Sequence, residues 1–226
     1  MIVRQFLKTI GSGAAIVALG IIIASPRGQA SGENDDRNGD ESRIKRGFAI
    51  APVPLNLEGK NPALVGLGSY IVNAQADCNG CHSAGPQTEF APGGNPYFGQ
   101  PTKVNPMTYL GGGRDFGPLI PGTPDIISRN LTPDKTGKPE GGHTFEEFLQ
   151  ILRTGVDMDH LHPPCSATVT TNCLPKPFDG DLLQIMPWPI HHNMTNHDIR
   201  AIYEYLSAIP CIEGAPAPSP LHNDCE

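Results

Sequence analysis

Residues Cys78-Asn79-Gly80-Cys81-His82 carry the strongest structural signal in this 226-residue sequence. The two thiols lie about one helical turn apart, and the imidazole follows directly after the second thiol. At this spacing both sulfurs can form thioethers with the vinyl groups of one porphyrin while His82 binds the iron. Since the motif occurs once, the sequence predicts a single covalent haem c held by Cys78, Cys81 and His82.

Two other uses of a Cys-x-x-Cys pair are disfavoured by the rest of the sequence. A thioredoxin-like redox pair belongs in a βαβ setting, and this chain has no such pattern. A zinc site would need a second pair of ligands at short spacing, which the remaining cysteines and histidines do not provide. Haem attachment therefore remains the prediction for residues 78–82.

The second axial ligand of the iron is expected to be a methionine. Met186 is followed by Pro187, whose fixed φ and missing N–H favour an extended segment that can present a side chain to a ring face. Gap filling or helix packing explains three further methionines, namely Met107, Met158 and Met194. We therefore expect His82 and Met186 as the iron ligands, with His191 or His192 as alternatives to Met186.

Three amphipathic helices are predicted from capping signals and apolar periodicity. The first begins at Asn61, which is followed by proline at the first helical position. The second begins at Thr144, with Glu147 completing a capping box. The third is capped by Thr195 and ends before Pro210. The sequence thus predicts a mainly α protein.

About sixty residues between 83 and 142 are rich in glycine and proline and show no helical or alternating period. A loop region of this length would normally argue against a compact domain. A large apolar cofactor changes that judgement, because loops can wrap a haem and draw their core from it. We therefore expect three or more helices around one covalent haem, with long irregular loops.

The amino-terminal residues predict export. Residues 1–30 combine a short basic stretch with an apolar run, which is typical of a signal peptide. An uncleaved membrane anchor, and with it membrane association, is the alternative. Residues 31–50 are polar and charged, so we expect a flexible linker there. Residues 51–226 are expected to form a single cytochrome c domain, located in the periplasm.

The charge balance excludes one class of partner. Removing residues 1–30 takes away three positive charges and no negative ones, which leaves 13 Lys and Arg against 23 Asp and Glu, or −10. An acidic protein of this kind is not expected to bind nucleic acid. It can still dock on a basic patch of a redox partner, where complementary charge speeds encounter.

Four cysteines remain outside the motif, and an exported chain favours disulfides. They are Cys165, Cys173, Cys211 and Cys225. Two short loops, 165–173 and 211–225, are the simplest pairing. Spacing alone leaves the other two connectivities open.

The sequence resembles the class I c-type cytochromes, with a helix before the Cys-x-x-Cys-His motif, the Met186-Pro187 pair and a closing helix. This resemblance implies a cytochrome c-like fold. It is similar to haem modules in the cytochrome subunits of periplasmic alcohol and gluconate dehydrogenases. Four stretches carry this similarity: 128–137, 145–155, 186–187 and 198–206. The chain departs from that pattern in having a single haem motif, an insertion with Cys165 and Cys173, and a tail with Cys211 and Cys225.

The resemblance also implies a close crossing of the first and last helices. Gly66 and Gly68 fit this expectation, because a glycine inside a helix costs about 1 kcal/mol and so suggests a packing reason. Tyr203, Tyr205 and Leu206 are expected to form the facing surface. The alternative is that both glycines are simply tolerated.

Haem propionates are carboxylates that need partners when buried. Four residues are candidates to bind them: Arg129, Asn130, Arg153 and Trp188. Arg153 has an alternative role as a solvated cation at a helix end. His160 and His162 are interpreted as ordinary loop histidines.

The predicted function is electron transfer by a periplasmic mono-haem cytochrome c, without catalysis by the chain itself. Iron with two protein ligands has no open position, and a thioether ligand raises its reduction potential. We expect a redox protein as partner, namely a periplasmic dehydrogenase, a cytochrome or a terminal oxidase. The alternative is a haem enzyme of peroxidase-like or sulfur-oxidising type with a displaceable distal ligand. A redox or gas sensor is a third possibility, although no signalling module accompanies the domain.

Overall fold

The computed structural model describes residues 32–226 with the exception of 218 and 220, and without the side chains of 32–38 and 86. The predicted signal segment, residues 1–30, lies outside this part of the chain. The fold is mainly helical, with one small antiparallel sheet. The helices are α1 (Gly32–Ile50), α2 (Pro62–Tyr70), α3 (Cys78–His82), α4 (Pro86–Glu89), α5 (Pro139–Gly142), α6 (Phe145–Thr154), α7 (Trp188–His191) and α8 (Asn196–Leu206).

Two strands form a hairpin in the long loop region. Strand β1 (Asp115–Pro118) pairs antiparallel with β2 (Asp125–Ile127), with Asp115 opposite Ile127 and Pro118 opposite Asp125. A π-helical turn, Ile71–Gln75, continues α2, and a 3₁₀ turn covers Pro96–Phe98. Most of the chain between α3 and α6 is therefore irregular, as the sequence predicts.

All three predicted helix starts are confirmed. The Asn61 side chain accepts a hydrogen bond from the Ala63 amide at 3.0 Å, directly before α2. Thr144 and Glu147 form a complete capping box at the start of α6. Thr195 accepts from the Asp198 amide at 3.0 Å and caps α8. In each case a side-chain oxygen satisfies an amide that lacks a partner in the first helical turn.

Helices α2 and α8 cross at close range through Gly68. A Cβ atom at this position would lie 1.9 Å from the Ala201 carbonyl oxygen, so only glycine permits the contact. Tyr205 and Leu206 of α8 are fully buried around the crossing, as expected. Tyr203 faces elsewhere and packs edge-on against the rings of α6.

The prediction of a flexible linker over residues 31–50 is wrong, because Gly32–Ile50 form helix α1 and its second half packs on α2. Gly47 and Gly66 bring the two backbones together, since a Cβ on Gly47 would lie 1.8 Å from the Gly66 carbonyl oxygen. The Ser69 hydroxyl donates to the Gly47 carbonyl at 2.8 Å. Gly66 thus serves the α1 contact, where Ile44 and Phe48 lie against it, and not the α8 crossing. Tertiary packing overrides the polar composition here.

A buried polar triad joins the loop region to both crossing helices. The Tyr109 hydroxyl donates to Asn73 Oδ1 at 2.5 Å, and Asn73 Nδ2 donates to the Tyr205 hydroxyl at 3.1 Å. The two tyrosine oxygens lie 2.8 Å apart, so Tyr205 donates to Tyr109 and completes a ring of hydrogen bonds. Burial raises the pKa of both hydroxyls, which keeps them protonated as donors. The loop after α4 is thereby fixed to the helical core.

Two disulfides close the insertion and the tail. Cys165 pairs with Cys173 and Cys211 with Cys225, which is the simplest of the predicted pairings. The tail is further held by Asn223, whose side-chain amide donates to the Thr132 and Pro133 carbonyls at 2.9 Å. Among the helices that the structure describes, none is long and apolar enough to span a bilayer.

Replacing Gly68 by alanine tests the helix crossing. The new Cβ would overlap the Ala201 carbonyl, so we expect G68A to lower the free energy of unfolding by about 1–3 kcal/mol or more. Gly39 in α1 offers a matched control, because a Cβ there meets none of the described residues within 4 Å. G39A should be neutral or stabilising by up to about 1 kcal/mol. Urea unfolding of both variants is the measurement, and equal stability of G68A and wild type would contradict the crossing.

Candidate cofactor site

Helix α3 brings the residues of the Cys-x-x-Cys-His motif into one turn. Asp77 precedes it in the left-handed backbone region, with φ of 47°. The Asn79 side chain accepts from the Leu110 amide at 2.9 Å, and the His82 carbonyl accepts from the Gly112 amide at 2.8 Å. Loop residues 110–112 thus fix the short helix at both ends. Five residues are too few to form a stable helix alone, so these tertiary bonds are what hold it.

The protonation pattern of His82 is determined by its neighbour. His82 Nδ1 lies 2.8 Å from the carbonyl oxygen of Arg129. A carbonyl can only accept, so Nδ1 carries the hydrogen and Nε2 keeps its lone pair. Burial lowers the pKa of His82, which favours the neutral ring. His82 therefore has the tautomer and the backbone-anchored orientation of a metal-binding histidine.

A cavity of about 730 Å³, counted with its open mouth, lies beside this ring. Most of its lining is apolar. The lining residues come from α3 (Cys81, His82), the hairpin (Phe116, Ile126, Ile127), residues 128–129, Asp157, the disulfide-bearing insertion (Leu161, His162, Leu174, Gly180) and residues 182–187.

Met186 lines the same cavity as His82. The residue before it, Ile185, has φ of 67°, a costly conformation for a β-branched residue that places the segment at a sharp bend. The Gln184 side chain donates to the Asp179 and Leu182 carbonyls at 2.9 Å, and the Leu183 amide donates to the Gly155 carbonyl at 2.7 Å. These bonds fix the segment that presents Met186.

The alternatives to Met186 lie outside the cavity lining. Met107 is 77% exposed, and Met194 packs against the helical core. His192 Nδ1 lies 3.2 Å from the Arg153 carbonyl, which directs its ring to the end of α6. His191, in α7, is also absent from the lining. Among the methionines and the two histidines considered, Met186 alone shares the cavity with His82.

Arg129 joins the cavity to a cluster of acidic residues, of which Asp157 and Glu140 are buried and Asp159 is exposed. Its Nη2 lies 2.5 Å from Asp157 Oδ1, and its Nε lies 3.4 Å from Asp159 Oδ2. The Arg129 side chain is only 12% exposed. Burial raises the pKa of nearby Glu140 to about 7, with Arg129 opposing the shift and Asp159 and Asp157 adding to it. Arg129 thus has an ion-paired side and a side that faces the cavity.

Three candidate propionate ligands have other roles. The Asn130 side chain donates to the Ile212 carbonyl at 2.7 Å and accepts from Thr132, so it anchors the tail. Arg153 donates to the His192 carbonyl and, at 2.7 Å, to Asn196. Its guanidinium therefore joins α6 to the start of α8.

Trp188 is the third of these residues. Its ring covers Gly155, where a Cβ would lie 2.3 Å from the indole, and its Nε1 donates to the Leu183 carbonyl at 3.2 Å. Neither Asn130, Arg153 nor Trp188 lines the cavity. Their polar groups are already paired with protein, so of the four candidates only Arg129 reaches the site.

The two motif cysteines differ in environment. Cys81 is exposed at the cavity, whereas Cys78 is partly buried against the core. Burial, assisted by the charge of Asp77, raises the pKa of the Cys78 thiol to about 12. A dithiol redox pair needs a lowered pKa on at least one cysteine, and Cys78 has the opposite shift.

Sequence reasoning missed the insertion as part of this site. Leu161, His162 and Leu174 line the cavity, although they belong to a segment without helical or strand periodicity. The one available signal was the pair Cys165 and Cys173, which closes the loop. The lining as a whole is largely apolar and holds Cys81, His82 and Met186, together with the polar side chains of Arg129 and His162, whereas Cys78 lies behind it against the core.

Two curated proteins are similar to the chain. The fructose dehydrogenase cytochrome subunit of Gluconobacter japonicus is 26% identical over 153 residues, which cover 68% of this chain and 22% of that protein. The cytochrome c subunit of the quinone alcohol dehydrogenase of Gluconobacter oxydans is 28% identical over 177 residues, which cover 73% of this chain and 27% of that protein. The chain therefore spans about a quarter of the length of these relatives. No protein-family model matches the chain. No solved structure matches it.

Buried Glu140 makes the free energy of unfolding of the protein depend on pH. Its pKa is raised from 4.5 to about 7, so the folded protein holds a proton there that the unfolded chain releases between these values. The contribution of protonated Glu140 to the free energy of unfolding is fully present below about pH 4.5 and is lost as the pH rises through about 7. We expect wild type to lose on the order of 3 kcal/mol over this range relative to Glu140→Gln. Urea unfolding of both proteins between about pH 4.5 and 8 measures this, and parallel profiles would contradict it.

Proposed function

We propose that this chain is a periplasmic mono-haem cytochrome c that transfers single electrons and performs no substrate chemistry itself. The observation that carries the proposal is the joint position of His82 and Met186 on one apolar cavity, which Cys81 of α3 also lines. Similarity to cytochrome subunits of two dehydrogenases supports the same role. A cytochrome c-like arrangement of α2, α3 and α8 is part of the proposal.

Each residue of the site has a defined task in this proposal. Cys78 and Cys81 attach the haem covalently, and His82 and Met186 bind its iron. The Arg129 carbonyl holds the His82 ring so that Nε2 points away from the backbone bond. When bound, the haem supplies an iron that gains and loses one electron.

The surroundings of the site favour outer-sphere electron transfer. Two protein ligands leave the iron without an open position for a substrate. Cys81 is exposed, so the haem edge bonded to it would lie near the surface, where a partner can approach. A small and transient docking surface is sufficient for such a transfer.

We propose a periplasmic dehydrogenase as the electron donor, and a cytochrome or terminal oxidase as the acceptor. Both curated relatives are named as cytochrome subunits of dehydrogenases. The net charge of −10 after removal of residues 1–30 favours a basic docking surface on the partner. Export would depend on residues 1–30, as a cleaved signal peptide or as a retained anchor.

Met186→Ala tests this function through the iron. Loss of the thioether should abolish the weak red-end absorption band of the ferric protein and lower the reduction potential, because a thioether stabilises ferrous iron. Met107→Ala provides the matched control, since Met107 is 77% exposed and outside the cavity. The spectrum and a redox titration of the holoprotein are the measurements.

Two outcomes would contradict the proposal. If Met186→Ala keeps the band, another residue is the ligand. If the wild-type ferric protein is high-spin and binds peroxide readily, or if the ferrous protein binds carbon monoxide readily, its iron has an open position. The haem enzyme would then be the better interpretation.

A further inference from the structure

The disulfide-bearing insertion, residues 159–181, supplies part of the cavity wall. Leu161, His162, Leu174 and Gly180 of this insertion line the cavity. The Cys165–Cys173 disulfide closes the loop between them. The insertion, which distinguishes this chain from the dehydrogenase haem modules, is therefore part of the cavity wall.

The backbone of His162 is fixed from both sides. Asp157 accepts from the Asp159 and Leu161 amides at 3.2 Å, which shapes the turn that leads into His162. On the other side Gly180 lies so close that a Cβ there would be 2.4 Å from the His162 carbonyl oxygen. Because Asp157 also pairs with Arg129, one carboxylate contacts both the Arg129 side chain and the backbone that leads into His162.

Two nitrogen atoms in this wall lack a hydrogen-bond partner in the part of the chain that the structure describes. They are Arg129 Nη1 and His162 Nδ1, and both atoms are buried. A buried polar group without a partner costs about 1–3 kcal/mol, and native proteins pair nine in ten or more of such groups. Both residues line the same cavity, so a ligand that offers oxygen acceptors would satisfy them together.

The acceptor with the best chemistry for this pair is a carboxylate. Asp157 already balances the charge of Arg129 on its paired side, so Arg129 alone holds a second anion poorly. A second donor from His162 compensates for that, since hydrogen bonds to a charged oxygen are stronger than those between neutral groups. Haem carries carboxylates as its propionates, and the rest of the lining is mainly apolar.

We propose that His162 is a further cofactor-binding residue, whose Nδ1–H and Arg129 Nη1 together hydrogen bond a propionate of the haem. This rests on the haem binding proposed above. The proposal replaces the interpretation of His162 as an ordinary loop histidine, because the insertion places this residue on the cavity. Donors to a propionate withdraw negative charge from the surroundings of the iron, so they raise its reduction potential.

Two substitutions of His162 distinguish the roles of its two ring nitrogens. Asparagine places its amide near the position of Nδ1, whereas glutamine places its amide near the position of Nε2. We expect His162→Gln to lower the midpoint potential so that the equilibrium constant for reduction falls about threefold or more, ~28 mV for a one-electron couple. His162→Asn should stay close to wild type. His160→Asn is the control, because His160 is exposed in the same loop and its φ of 48° suits asparagine.

Haem content and the red-end ferric band are measured first in every variant, so that failure of the proposed function is recognised separately. If wild type carries no covalent haem, the proposed function fails. If haem is attached normally and His162→Gln has the wild-type potential, the inference about His162 is overturned while the function stands. A loss in His162→Asn equal to that in His162→Gln would also overturn the assignment to Nδ1.

A measurement on wild type covers the case in which His162→Gln does not fold. Long-range ¹H–¹⁵N spectra of the ferrous holoprotein report which nitrogen of each histidine carries hydrogen. The proposal predicts the Nδ1–H tautomer for His162, with an exchange-protected proton, and His162→Asn identifies the signal. An Nε2–H tautomer with a bare Nδ1 would overturn it.

Discussion

The hydrogen bond from His82 Nδ1 to the Arg129 carbonyl is the constraint on which the site depends. It joins the short helix α3 to a loop forty-seven residues later in the chain and determines which ring nitrogen is available to a metal. The loop is in turn held by the Arg129–Asp157 pair, and Asp157 shapes the start of the insertion. One chain of contacts therefore runs from the motif through Arg129 to the segment that closes the cavity.

Helices and loops have different roles in this fold. Helices α1, α2 and α8 form a tightly packed support, in which glycines let backbones approach and the triad of Asn73, Tyr109 and Tyr205 ties in the loop region. The loops after α3 contribute Tyr109, Leu110 and Leu131 to this core and also supply much of the cavity lining. The haem proposed for the cavity would add further apolar contacts to these loops when bound.

Local signals made much of the fold predictable, whereas long-range contacts did not. The helix caps at Asn61, Thr144 and Thr195 could be predicted from the sequence, because each depends on a few neighbouring residues. Helix α1 was not, since its polar sequence is stabilised by backbone contact with Gly66. The roles of Asn130, Arg153 and Trp188 and the position of Arg129 on the cavity depend on tertiary packing, which residue type alone does not reveal. For the same reason the sequence does not predict His162 as a residue of the cavity.

The central claim is that one haem is bonded to the chain through the sulfurs of Cys78 and Cys81. Intact and peptide mass spectrometry of the exported protein under denaturing conditions tests it most directly. Haem attached through both sulfurs gives the polypeptide mass plus one haem, with the added mass on the peptide that contains both cysteines. A colourless protein, a peptide with unmodified thiols, or a pigment extracted by acidified acetone would contradict it.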